Sequence, residues 1–89
     1  MNPKRIVIVG FSAIQTLMKR TPVVSSSIVS VGYDSQSQVL ELEFEGGNVY
    51  QYFEVPQSVH ERLLDADSIG GFVNKEIKGV YGFREIYGS

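Results

Sequence analysis

Residues 39–55 read VLELEFEGGNVYQYFEV, and the way this stretch folds back on itself decides how the rest of the chain must pack. Its first half alternates strictly, with Leu40, Leu42 and Phe44 on one face of a strand and Glu41, Glu43 and Glu45 on the other, the pattern of a half-buried strand with a wet side. The glycine pair then turns the chain into VYQYFEV, where Tyr50 and Tyr52 share a face and Gln51 points away, before Pro56 stops the strand. Two registers are open. A two-residue turn at Gly46 and Gly47 pairs Phe44 with Val49 and sets both tyrosines beside Glu41 and Glu43, in solvent. A three-residue loop, with Glu45 and Gly46 in a type I turn and Gly47 left-handed, pairs Phe44 with Asn48, Leu42 with Tyr50 and Leu40 with Tyr52, in the core. The second is preferred because it puts polar Gln51 beside the glutamates, whereas a one-residue slip drops it among the leucines. Buried phenols need hydrogen-bond partners, and Asn74 or a backbone carbonyl is expected to serve.

Upstream, SIVSVGY (27–33) is β-branched and bounded by the turn-forming DSQS, which makes it a strand hairpinned to the next. Downstream, PQSVHERLLDA (56–66) carries Val59, Leu63 and Ala66 at helical spacing, with Leu64 widening the stripe. Ser68 is a good N-cap for a second helix, SIGGFVNKEIK (68–78), whose apolar side is Phe72, Val73 and Ile77 and whose stop is Gly79. The aromatic tail VYGFREIYGS (80–89) is expected to pack back, a short extra strand being one form. The expected fold is α+β: a three-stranded antiparallel meander with two short helices packed on one face. If residues 1–17 are native and folded, Ile6 to Val9 adds a strand leading to a short helix.

At 89 residues the chain makes one domain with one core. It contains no cysteine, which excludes disulfides, thiolate zinc sites and thiol catalysis and fits a reducing, cytoplasmic setting. The net charge of −2 hides a gradient. Lys4, Arg5, Lys19 and Arg20 make the opening basic, whereas between Asp34 and Asp67 eight acids face Arg62 alone. Phosphate is repelled by that middle and attracted only by the ends.

The opening also resembles a secretory signal or a strand entering a dinucleotide-binding turn, but its unbroken apolar run is only Ile6–Val9 and Gly10 lacks partner glycines. Translation from Met18 would leave residues 1–17 as an upstream extension. The boundaries are therefore drawn at 1–20 for an N-terminal extension and 21–89 for the domain.

Chemistry is sparse. Asp65, Asp67, Gly70 and Glu76 fall at the first, third, sixth and twelfth positions of a calcium loop, yet Ile69 and Val73 stand where oxygen ligands are needed and Ser68 is better used as a helix cap. His60, the single histidine, has no second metal ligand or nucleophile beside it in the pattern, and Ser25–Ser27 lie at a strand entrance without a glycine elbow. No catalytic residue, metal or cofactor is expected. The best contact surface joins Lys75 and Lys78, three apart on the second helix, with Tyr81, Arg84 and Tyr87: bases for phosphates and ring faces for nucleobases, a combination suited to single strands.

Ser25–Ser27, the VGYD turn, LELEF, Tyr50-x-Tyr52, Pro56 and FVNKEIKG together resemble the KTSC domain, a small bacterial and phage module named for its place at the C-terminus of some lysyl-tRNA synthetases. The resemblance spans about residues 21–84. It implies a strand meander with helices, no catalytic constellation and a role in binding RNA, tRNA among them, although Glu76 and Val80 interrupt the basic run expected of RNA-binding members. The alternative is a protein-interaction or oligomerisation module working through the sheet edge or the acidic face, which the charge of the middle favours. Neither reading involves a membrane.

Overall fold

The glycine turn resolves the register. The computed structural model describes residues 18–88, and in it Leu40 lies opposite Tyr52 and Leu42 opposite Tyr50, with the Phe44 N–H donating to the Asn48 carbonyl at 2.8 Å. This is the core register with a three-residue loop. The turn itself differs from type I: Gly46 and Gly47 both have φ of +98°, so the left-handed backbone begins one residue earlier, at the position where a type II turn needs glycine.

The meander does not stop at three strands. Five form one antiparallel sheet in chain order: β1 (Arg20–Pro22), β2 (Ile28–Asp34), β3 (Val39–Phe44), β4 (Val49–Tyr52) and β5 (Phe83–Tyr87). β5 is the short extra strand offered for the aromatic tail, whereas β1 is an addition that pattern reading does not offer. β1 is three residues ending in proline, which an edge tolerates because one side of the strand needs no donor. β5 is largely exposed, so no alternation of burial marks it. The strand and short helix expected around Ile6–Val9 lie outside the described residues.

β2 carries a bulge between Ile28 and Ser30, where it pairs with Phe44 and Glu43 of β3. The extra residue is what lets Ile28 and Val31, three apart, both face the core. The β2–β3 turn is held by Asp34, whose carboxylate accepts from the Gln36 N–H at 3.1 Å and the Ser37 hydroxyl at 2.8 Å.

Two helical segments cover one face of the sheet. α1 (Gln57–Leu64) starts directly after Pro56 and buries Val59 and Leu63. α2 (Ile69–Phe72) is capped as expected, the Ser68 hydroxyl accepting from the Gly71 N–H at 3.0 Å. It runs on as a wider π turn over Val73–Ile77, closed by the Lys78 N–H on the Val73 carbonyl at 2.8 Å. Val73 and Ile77 are buried against Leu40, Leu42, Leu63 and Tyr52. Each such aliphatic side chain stabilises by roughly 1.5–3 kcal/mol relative to exposure. Arg62 ties the two segments, ion-paired with Glu76 at 3.6 Å and lying 5.3 Å over the Phe72 ring. Helical geometry from Ile69 to Ile77 replaces the loop that a calcium site would need.

The opposite face of the sheet is not uniformly wet. Glu41, expected in solvent with Glu43 and Glu45, is fully buried, accepting from Gln51 Nε2 at 3.0 Å and facing Arg20 Nε at 3.4 Å. Strand alternation shows which face a residue takes but not whether that face is covered. Among the described residues, no helix is long and apolar enough to cross a membrane.

Candidate nucleic-acid interface

Beyond the helices, the covered face of the sheet continues as bare aromatic surface. Phe44 from β3, Tyr50 and Tyr52 from β4 and Phe83 from β5 line an open groove of about 480 Å³, rimmed by Glu45, Asn48, Lys78 and Gly79. Strand pairing builds it, because Tyr52 lies opposite Phe83 and Leu42 opposite Tyr50, so ring after ring falls on one face. The Tyr50 ring sits edge-on to Phe44 at 5.6 Å and tilted against Phe83 at 5.5 Å, and Tyr52 lies 5.8 Å from Phe83. Tyr52 is almost wholly buried, the floor of the groove, and burial, with the neighbouring Tyr50 second, pushes its phenol above the ordinary value. Phe83 by contrast is 60% exposed, a large ring face held by its neighbours yet open to a ligand.

Lys78 follows the π turn and places its ammonium 5.1 Å from the Phe44 centroid. Neither of the two ion pairs among the described residues that are resolved, Arg20–Glu41 and Arg62–Glu76, uses it. Lys75 is exposed within that turn, and the wider winding sets it further round from Lys78 than three residues of α-helix would. Tyr81 is half-buried and packed against the core. Arg84 lies opposite Gln51 and so on the other face of the sheet from Phe83. Of the sequence-predicted contact residues, Lys78 thus joins the aromatic groove and Arg84 does not.

Asn74 is exposed and lines a second cleft, of about 420 Å³, with Ser25–Ser27, Ser68 and Gly70, whereas Tyr50 and Tyr52 line the first. The phenol given a carbonyl partner is the half-buried Tyr33, whose hydroxyl donates to Val55 O. Its ring stacks on His60 at 4.6 Å. Burial, partly opposed by Glu61, holds the His60 imidazole below its ordinary pKa, which favours the neutral ring. Among the described residues, no three His, Cys, Asp or Glu side chains gather as a metal site.

Sequence reasoning missed Phe44, Phe83, Glu45 and Asn48 as groove residues. The Tyr-x-Tyr pair was the available signal, but its partner Phe83 becomes visible only once β5 is known to pair with β4.

Comparison with known proteins agrees with the fold. A solved KTSC domain protein of Yersinia pestis superposes with a TM-score of 0.75 at 44% identity, over 79% of this chain and 99% of that one. An uncharacterised protein of Stutzerimonas stutzeri is 48% identical over 61 residues, 68% of this chain and 86% of its own. A lysine–tRNA ligase of Nostoc punctiforme is 44% identical over 61 residues, but these make up only 11% of the ligase. The KTSC domain model itself matches residues 24–81, a span holding the whole β2–β4 meander and both helical segments, and the chain belongs to the KTSC domain family.

Proposed function

We propose that this KTSC domain is a non-catalytic, cytoplasmic module that binds single-stranded RNA, tRNA included, by stacking bases in the aromatic groove while Lys78 meets a phosphate. The observation that carries the reading is the exposed Phe83 ring beside Tyr50, with the Lys78 ammonium over Phe44 at the same groove. Similarity to a segment of lysine–tRNA ligases supports it. Lys75 supplies a second phosphate contact, Tyr81 buttresses the turn that presents both lysines, and Arg84 serves a strand that passes over the β5 edge.

Fluorescence-anisotropy titration of labelled single-stranded RNA and tRNA at low and physiological salt tests this. Saturable binding is expected, weakening with salt at a logarithmic slope of about −0.7 per phosphate contacted. Lys78→Glu is expected to abolish it with the fold intact. Unchanged binding by that variant sinks the site, and no binding at low salt sinks the RNA reading.

A second reading, protein interaction or self-association, is favoured by β5, which ends the strand order among the described residues and exposes Phe83 and Tyr87. Sedimentation that shows concentration-dependent dimers, lost on breaking β5, would favour it.

A further inference from the structure

The polar groups of the groove are not a random set. Lys78 is its cation, and the remaining polar groups next to the β3–β4 turn are Glu45 and Asn48. Glu45 carries an acceptor-only carboxylate that neither resolved ion pair engages. The Asn48 amide, which also lines the groove, is oriented by its Nδ2 donating to Glu85 Oε2 at 2.9 Å, and its Oδ1 is a second acceptor. A carboxylate beside an RNA strand repels phosphate but accepts from the N–H donors of a base edge.

Resting on the RNA reading above, we infer that the groove selects a guanine, stacked on Phe83 and Tyr50, with its Watson–Crick edge turned to the Glu45 carboxylate and the Asn48 carbonyl oxygen. Guanine alone among the four bases presents two adjacent donors, N1–H and the N2 amine, and a carboxylate accepts such a pair with both oxygens. Adenine and cytosine offer one amine next to a ring acceptor, which would face a carboxylate oxygen lone pair to lone pair. Uracil offers a single N–H between two carbonyls. The groove volume of about 480 Å³ admits a purine with its ribose phosphate directed at Lys78.

The test compares four labelled RNA pentamers, UUGUU, UUAUU, UUCUU and UUUUU, at low salt. UUGUU is expected to bind about five- to tenfold more tightly than the others, the lower range of a bidentate base contact. Glu45→Gln, at an exposed turn position, replaces one acceptor by a donor and is expected to move the preference from UUGUU towards UUAUU, a change that loss of packing would not produce. Equal binding of the four pentamers, a preference for another base, or a guanine preference unmoved in Glu45→Gln overturns the inference and leaves RNA binding standing. Failure of all four to bind overturns both.

Discussion

Two clefts formed by the described residues are similar in size and opposite in chemistry. The groove of about 480 Å³ is walled by ring faces, whereas the cleft of about 420 Å³ is walled mainly by serines, glycines, Asp67 and Asn74. In the serine cleft two of the hydroxyls already serve nearby backbone: Ser25 Oγ accepts from the Ser27 and Ile28 N–H groups at 3.2 Å each, and Ser68 Oγ caps α2. Gly70 approaches so closely that a Cβ there would collide with Ser27 Oγ. Each hydroxyl caps its own segment, and it is this close approach that sets the entrance of β2 against the start of α2. In the aromatic groove, by contrast, the rings pack on one another and on Lys78 and leave Phe83 open. A cluster contiguous in sequence turns out to be a fastening, while the surface open to a ligand is assembled from three separate strands.

Substitutions that separate fastening from recognition sharpen this contrast. The largest effect belongs to Tyr52→Ala, which empties the floor shared by groove and core: a loss of about 3–5 kcal/mol is expected in urea denaturation. A loss below about 1 kcal/mol would mean that the ring belongs to the groove alone. Phe83→Ala comes next, with RNA binding weakened by about 1–3 kcal/mol in anisotropy titration and stability changed by no more than about 0.5 kcal/mol. Ser25→Ala follows, costing about 1 kcal/mol of stability through two orphaned N–H groups and leaving RNA affinity unchanged. Weakened RNA binding in a still-folded Ser25→Ala protein would break the division between the clefts.

The smallest effect is a pH dependence away from both clefts. The imidazole of His60 is held below its ordinary value of 6.5 by burial against Tyr33, so the unfolded chain takes up its proton first. The stabilisation is complete above 6.5 and is lost as pH falls through the folded value. Thermal scans over that acid range should show a steeper decline for the parent chain than for His60→Phe, which keeps the ring stack.

How much of this could be read from the sequence depends on whether a residue's role is local. Gln51, flanked by two tyrosines, carried the register, because one polar residue between apolar ones tolerates only one face. Ser68 announced its helix for the same reason: a cap acts within three residues. Glu41 shows the limit. The alternation put it on the second face correctly, but its burial beside Arg20 and Gln51 depends on what crosses that face. The basic patch failed to gather in the same way. Lys75, Lys78 and Arg84 are close in sequence, yet the π turn spreads the first two and strand alternation sends Arg84 to the far face. The groove was half visible in Tyr50 and Tyr52; its other half, Phe83, arrives from the end of the chain.

That arrival has a consequence for the order in which the protein assembles and loosens. β4 and β5 are neighbours in the sheet but enclose the segment 53–82, so their pairing closes the longest loop in the meander. The hairpins β2–β3 and β3–β4 close over a few residues and are expected to form before β5 docks, and β5, at the end of the strand order among the described residues, is expected to open more readily than the central strands. A ligand that needs Phe83 therefore acts as a clasp on that final strand. Its binding is expected to slow amide exchange along Phe83–Tyr87 more than in the hairpins, so that occupancy of the groove would be read in the dynamics of one strand.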